Sequence, residues 1–168
     1  MDTQDTKDTR DTSNEGKRIG VGDRAPDFAL PNTSGENVRL SDFAGKRNVV
    51  LFFYPKDETA GCVAEVCAFR DSYEVFNEAG AEVIGVSSDS VESHQRFAAH
   101  HRLPFTLLSD RGGALRKRYG VPATMGVIPG RVTYVIDKQG TVRHVFSSQS
   151  NIGKHISDAL ETLRALPN

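Results

Sequence analysis

Residues 48–67 read NVVLFFYPKDETAGCVAEVC. Asn48 to Tyr54 is a run rich in β-formers, which fits a strand buried on both faces of a parallel or mixed sheet. Pro55 has no amide proton to give a ladder and ends the strand. Apolar residues then recur at Val63, Val66, Cys67, Phe69, Tyr73 and Phe76, close to a period of about 3.6 residues, and Gly80 stands where a helix stops. One helix over residues 62–79 is predicted. A core strand, a polar loop and a helix in succession set the fold class as α/β.

The same pattern continues downstream. Residues 81–86 (AEVIGV) read as a second core strand, 90–101 as a helix capped by Ser90, 104–108 as a short strand and 113–119 as a short helix. Residues 131–137 and 141–146 flank a Lys138-Gln139-Gly140 turn and form a hairpin. Residues 154–166 close the chain as an amphipathic helix, with Ile156, Leu160, Leu163 and Leu166 on one stripe. Upstream, residues 28–30 and 38–40 make a short hairpin, and Ser41-Asp42 offers a cap for a brief helix ending near Gly45. The order is hairpin, βαβαβα, hairpin, helix. It predicts a central mixed β-sheet flanked by helices, with an N-terminal β-hairpin, and the closing hairpin and helix are the ending of a thioredoxin-like fold.

The chain has 168 residues, enough for one domain with a full core. Its formal charge of −1 gives no electrostatic footprint for nucleic acid or an anionic membrane. No apolar run approaches the ~20 residues of a membrane span. Residues 1–18 are different in kind: Asp2, Asp5, Asp8 and Asp11 head three-residue repeats without an apolar member, so this stretch reads as a disordered tail before a domain at 19–168. It has no apolar stretch for a secretion signal, and its aspartates argue against a transit peptide. A cytoplasmic protein is therefore expected.

Two cysteines are too few for a disulfide scaffold or a four-ligand zinc site, but enough for a redox pair. The five histidines show no ligand spacing, and adjacent His100 and His101 are expected to point apart on a helix. No metal is implied. Cys62 falls at the start of the predicted helix, where orphan amides and the macrodipole favour an anion. A thiol there is expected to ionise below its ordinary ~8.5, and the thiolate is the nucleophile. Thr59 can both donate and accept beside it, and Pro55 can shield it from water. Cys67 follows five residues on. In an intact helix the two Cα atoms would be roughly 8–9 Å apart. A disulfide needs about 4.4–6.8 Å. If the two bond, the first turns must unwind. Cys67 alone also fits a small buried hydrophobe, and a Cys-His hydrolase remains open on composition.

Pro55-x-x-x-Thr59-x-x-Cys62 resembles the active-site signature of the peroxiredoxins. The wider string Tyr54-Pro-Lys-Asp-x-Thr-x-Gly-Cys-x-x-Glu-x-Cys-x-Phe-Arg-Asp71 is similar to their Q type, also called bacterioferritin comigratory protein. So are Gly22-Asp-Arg-Ala-Pro-Asp-Phe28, Phe105-Thr-Leu-Leu-Ser-Asp110 and Pro129-Gly-Arg-Val-Thr-Tyr-Val-Ile-Asp137. The resemblance implies a thiol peroxidase for hydrogen peroxide and organic hydroperoxides. Cys62 would be the peroxidatic cysteine, and Cys67 would resolve its sulfenic acid as an intramolecular disulfide, recycled by thioredoxin or a similar dithiol. Thr59 would orient the peroxide, Arg131 would supply positive charge, Pro55 would shield the sulfur, and Glu65 would hold an arginine; Gly61 supports the loop. No cofactor is required, and a monomer is expected. Two departures stand out: Ala60 where the family usually has Pro, and Val63 where it usually has Thr. The rival readings are a thioredoxin-type disulfide reductase, whose C-x-x-C spacing is absent, and a redox-responsive binding module. Arg131 as a strand-end surface charge and Glu65 as a plain surface residue are the bland alternatives.

Overall fold

The computed structural model describes residues 18–124 and 128–167. The tail reading of residues 1–18 thus lies, Arg18 apart, outside the described residues.

Two short strands, β1 (Ala29–Pro31) and β2 (Asn37–Arg39), pair as the expected N-terminal hairpin. The central sheet has five strands in the order β5-β4-β3-β8-β9. They are β3 (Asn48–Phe53), β4 (Ala81–Ser87), β5 (Thr106–Ser109), β8 (Val132–Ile136) and β9 (Val142–Ser147). β4 runs parallel to β3 and to β5, while β8 is antiparallel to β3 and β9, so the sheet is mixed as expected. Helices α1 (Ala60–Asp71), α2 (Tyr73–Glu78), α3 (Val91–His101), α4 (Ala114–Tyr119) and α5 (Ile152–Ala165) complete the frame. A further two-stranded ladder, β6 (Ala123–Thr124) with β7 (Ile128–Pro129), was not expected from the sequence.

Every residue of β3 is buried, because the strand is central and covered on both faces. Alternation sends Val49, Leu51 and Phe53 into one core, with Ile84, Val86, Leu108 and Tyr134. Val50, Phe52 and Tyr54 enter the other, with Val66, Phe69, Phe97 and Ile156 from α1, α3 and α5. Phe52 stacks on Phe69 at 4.3 Å between ring centroids and 12° between planes, which seats α1 on the sheet.

The single helix expected over 62–79 is two. Ser72, at φ −102° and ψ 5°, interrupts it. The break turns the chain back onto the sheet, so that Phe76 is fully buried and lies 5.6 Å from the Phe69 ring. The spacing of apolar residues is nearly continuous across Ser72, which is why periodicity alone merged the pair.

Candidate active site

α1 begins one turn after β3 leaves the core. Thr59, extended at φ −89° and ψ 151°, is its N-cap residue, and the first helical hydrogen bond runs from the Val63 amide to the Thr59 carbonyl at 2.8 Å. Ala60, Gly61 and Cys62 therefore occupy the first turn, where amides have no acceptor within the helix. The Cys62 side chain is fully buried, and both cysteines are free thiols. The sequence reading began the helix at Cys62; it begins two residues earlier, at Ala60, and Cys62 lies in its first turn.

Arg131 arrives from the other side, at the head of β8. It is 4% exposed, which removes the reading of a solvated strand-end charge. Its Nη1 donates to Cys62 Sγ at 3.5 Å and to Glu65 Oε1 at 2.7 Å, and its Nε donates to the Gln149 carbonyl at 3.1 Å. Glu65 is fully buried, not a surface helix residue. Two glycines let these groups meet. A Cβ on Gly61 would lie 2.8 Å from Arg131 Nη2. Gly130, just before the arginine, donates its amide to the Pro122 carbonyl at 2.7 Å, and a side chain there would strike that carbonyl.

Burial pushes the Glu65 carboxyl up to about 7, against the opposing pull of the Arg131 guanidinium. For Arg131, burial opposes the charge, yet Glu65 and the Cys62 sulfur raise its pKa above the ordinary value. The second Glu65 oxygen has no hydrogen bond among the described residues and faces His155 Nδ1 at 3.9 Å. His155 donates from Nε2 to the Ser148 carbonyl at 2.8 Å, which leaves Nδ1 to accept from Thr133 Oγ1 at 2.7 Å. Burial lowers its pKa, so a neutral ring backs the carboxyl.

The loop carrying Pro55 and Thr59 is pinned from beneath. Asp57 is buried and accepts from Tyr54 Oη at 2.6 Å, Ser93 Oγ at 2.8 Å and His94 Nδ1 at 2.7 Å. Pro55 is half-buried at the end of β3. Thr59 is exposed, and its hydroxyl donates to the Lys56 carbonyl at 2.8 Å. It closes the turn before the helix; among the described residues, the hydrogen-bond donor to Cys62 Sγ is Arg131.

Cys67 lies further along the uninterrupted α1, half-buried. Its Sγ is 4.0 Å from His101 Nδ1. The adjacent histidines do not point apart. Their rings are 4.4 Å from each other, and both reach Glu58, His100 Nδ1 to Oε2 and His101 Nε2 to Oε1, each at 3.1 Å. At the C-terminus of α3 the two Cβ vectors splay by about 100°, but the Glu58 carboxylate draws both rings together. Asp57 with Asp89 and His94, and Glu58 with His100 and His101, are the groupings of metal-type ligand atoms among the described residues. In the first, both His94 nitrogens are engaged, with Asp57 and the Leu108 carbonyl; in the second, Glu58 engages one nitrogen of each histidine. The sequence reading missed His155, Thr133, Asp57, His94, Glu58 and His101, since nothing in their spacing links them to either cysteine.

A buried thiol in the first turn of a helix, with an ion-paired arginine on its sulfur and a second thiol on the same helix of a thioredoxin-like fold, defines a thiol-dependent redox enzyme. Residues 21–145 match the AhpC/TSA family, and the chain belongs to it. It is 51% identical over 150 residues to rice peroxiredoxin Q, chloroplastic (Oryza sativa subsp. japonica), covering 89% of this chain and 69% of that one. The crystal structure of peroxidoxin BcpB from Mycobacterium tuberculosis superposes with a TM-score of 0.83 at 38% identity, covering 90% of this chain and all of that one. A Xanthomonas campestris bacterioferritin comigratory protein, studied for alkyl peroxide reduction, gives a TM-score of 0.76 at 30% identity over 82% of this chain and 90% of its own. The protein is an enzyme, a thiol peroxidase of the oxidoreductase class, and the disulfide-reductase and binding-module readings are not favoured. The expected cytoplasmic location is overturned: similar plant proteins, those of rice and Arabidopsis thaliana among them, are named chloroplastic. The acidic tail was a poor guide, because composition of a terminal repeat does not report where a family works.

Proposed function

We propose that Cys62 is the peroxidatic cysteine of a peroxide-reducing cycle that Cys67 resolves. The Cys62 thiolate attacks one peroxide oxygen; an S–O bond forms, the O–O bond breaks, and the other oxygen leaves as water or an alcohol after taking a proton. Arg131 donates to that sulfur and faces the leaving oxygen as its charge grows. The guanidinium bond to Cys62 Sγ, held by buried Glu65, is the observation that carries this reading. Pro55 keeps water from the sulfur. Thr59 meets the peroxide once its hydroxyl turns from Lys56, and Gly61 leaves room for the guanidinium.

Cys67 then attacks the Cys62 sulfenic sulfur, an S–S bond forms and water leaves. The intact α1 holds the two too far apart for that bond, so its first turns unwind. A thioredoxin-type dithiol reduces the disulfide, and no metal or organic cofactor takes part. The enzyme acts as a monomer: Val21, Val75 and Ile128 are the exposed large apolar residues among those described, and they are scattered singly. Light scattering that returns the mass of a dimer would remove that last point.

The test is peroxide consumption with a thioredoxin system. Cys62→Ser is expected to abolish turnover, and equal rates would end the reading. Treating the wild type with peroxide should lower its non-reduced mass by about two daltons, the loss of two hydrogens in an internal disulfide. Cys67→Ser should consume one equivalent and then over-oxidise.

A further inference from the structure

The resolving step needs a thiolate at Cys67, and the Arg131 side chain is engaged with Cys62, Glu65 and the Gln149 carbonyl. The side chain against its sulfur is His101. That residue is held by four neighbours. Phe97 packs edge-on at 5.0 Å and 82°, His100 lies at 4.4 Å, and Glu58 Oε1 accepts from Nε2 at 3.1 Å. Arg70, on the same helix as Cys67, donates from Nη1 to the His101 carbonyl at 2.8 Å. With Nε2–H committed to the carboxylate, Nδ1 carries the free lone pair, and it faces Cys67 Sγ at 4.0 Å. That contact is long for a thiol donor, as contacts of this type often are before reaction.

Glu58 makes the arrangement look built. It is one of two non-glycine residues with positive φ among those described, at 61°, a backbone state that L side chains rarely adopt. Its reward is to direct one carboxylate at both histidines. Hydrogen bonds from His101 and His100 hold that carboxyl below its ordinary range.

We propose that Glu58, His101 and Cys67 form a proton relay in which neutral His101 takes the Cys67 thiol proton through Nδ1, so that the Cys67 thiolate can attack the Cys62 sulfenic acid. Glu58 fixes the ring's tautomer and balances the imidazolium. The S–S bond forms as the S–O bond breaks, the sulfenic oxygen leaves as hydroxide and takes a proton from solvent to become water, and the imidazolium returns its own proton to solvent; no further oxidant is needed. The groups that set the pH response are Cys67 and Arg70 from α1, Glu58 from the preceding loop, and His100 from α3. This inference rests on Cys67 as the resolving cysteine.

The experiment is a single turnover: reduced enzyme with one equivalent of hydrogen peroxide, acid-quenched and weighed intact across a pH series. In His101→Gln the loss of peroxide should keep its wild-type rate, while disulfide formation slows by about 10²-fold. The acid limb of the wild-type disulfide rate should vanish with it. Glu58→Gln should show a smaller slowing. In His101→Ala, added imidazole should restore disulfide formation, which a merely structural role would not permit. A His101→Gln enzyme with the wild-type rate and pH profile overturns the relay. If peroxide-treated wild type shows no two-dalton loss, or Cys67→Ser is recycled by the thioredoxin system at the wild-type rate, the resolving assignment falls and the relay with it. If the wild type loses the two daltons and His101→Gln loses them equally fast, the relay alone falls.

Discussion

The two cysteines sit on one helix, yet their surroundings are opposites. Cys62 is sealed in the core side of α1, with a guanidinium from β8 on its sulfur and a buried carboxyl behind that guanidinium. Cys67 is half-buried near the surface, beside a histidine whose partner carboxylate is exposed. The first environment is closed by Arg131 at the head of β8 and by Glu65 of α1, deep in the core. The second is closed by a loop and a helix end at the surface. A rigid site suits the chemistry of a single sulfur, while a looser one suits a sulfur that must travel.

The contrast can be broken most severely at Arg131. Arg131→Met should lower kcat/KM for peroxide by about 10²–10³-fold, the usual cost of losing one preorganised donor. Because it also strands Glu65 in the core, a fall in stability of about 3–5 kcal/mol is expected by urea titration.

Glu65→Gln sharpens the comparison through pH. A carboxyl raised from its ordinary 4.5 to about 7 binds its proton more tightly in the folded state than in the unfolded chain. Its contribution to stability is thus fully present below about 4.5 and is lost as pH rises through about 7. Removing the group should flatten that decline, read from urea midpoints at about pH 5 and about pH 8. Activity should fall by about tenfold, since an amide still accepts from Arg131 but bears no charge.

Gly61→Ala is a milder intrusion. Its methyl would lie 2.8 Å from Arg131 Nη2 and push the guanidinium aside. A drop of about tenfold in kcat/KM, with little change in thermal midpoint, is expected. Smallest is Ala60→Pro. Position 60 is the first residue of α1, and Thr59 before it is already extended. The substitution should stabilise the reduced protein by about 0.4–1 kcal/mol in urea titration.

What the sequence made legible was local. The strand expected over 48–54 and the helix expected from Cys62 follow from patterns within one window; the structure has the strand at Asn48–Phe53 and begins the helix two residues earlier, at Ala60. Arg131 was located only through family likeness, because its bond to Cys62 spans 69 positions and no periodicity reaches that far. Whether Glu65 faced core or solvent depended on which side of α1 met the sheet, something decided by Phe69 stacking on Phe52. The break at Ser72 was invisible because apolar residues continue through it. His101, His155 and Glu58 carry no spacing relation to their targets; tertiary packing alone assembles them.

Glu65 occupies the stretch of chain between the two sulfurs. Drawing Cys62 and Cys67 together on the proposed path therefore pulls Glu65 from its ion pair, and opening the disulfide gives that pair back. The pair then favours the dithiol form and lifts the reduction potential of the couple, much as any interaction confined to the reduced state does. Spent enzyme would accept electrons readily from a modest donor, so the same salt bridge that readies one sulfur also hastens its recovery.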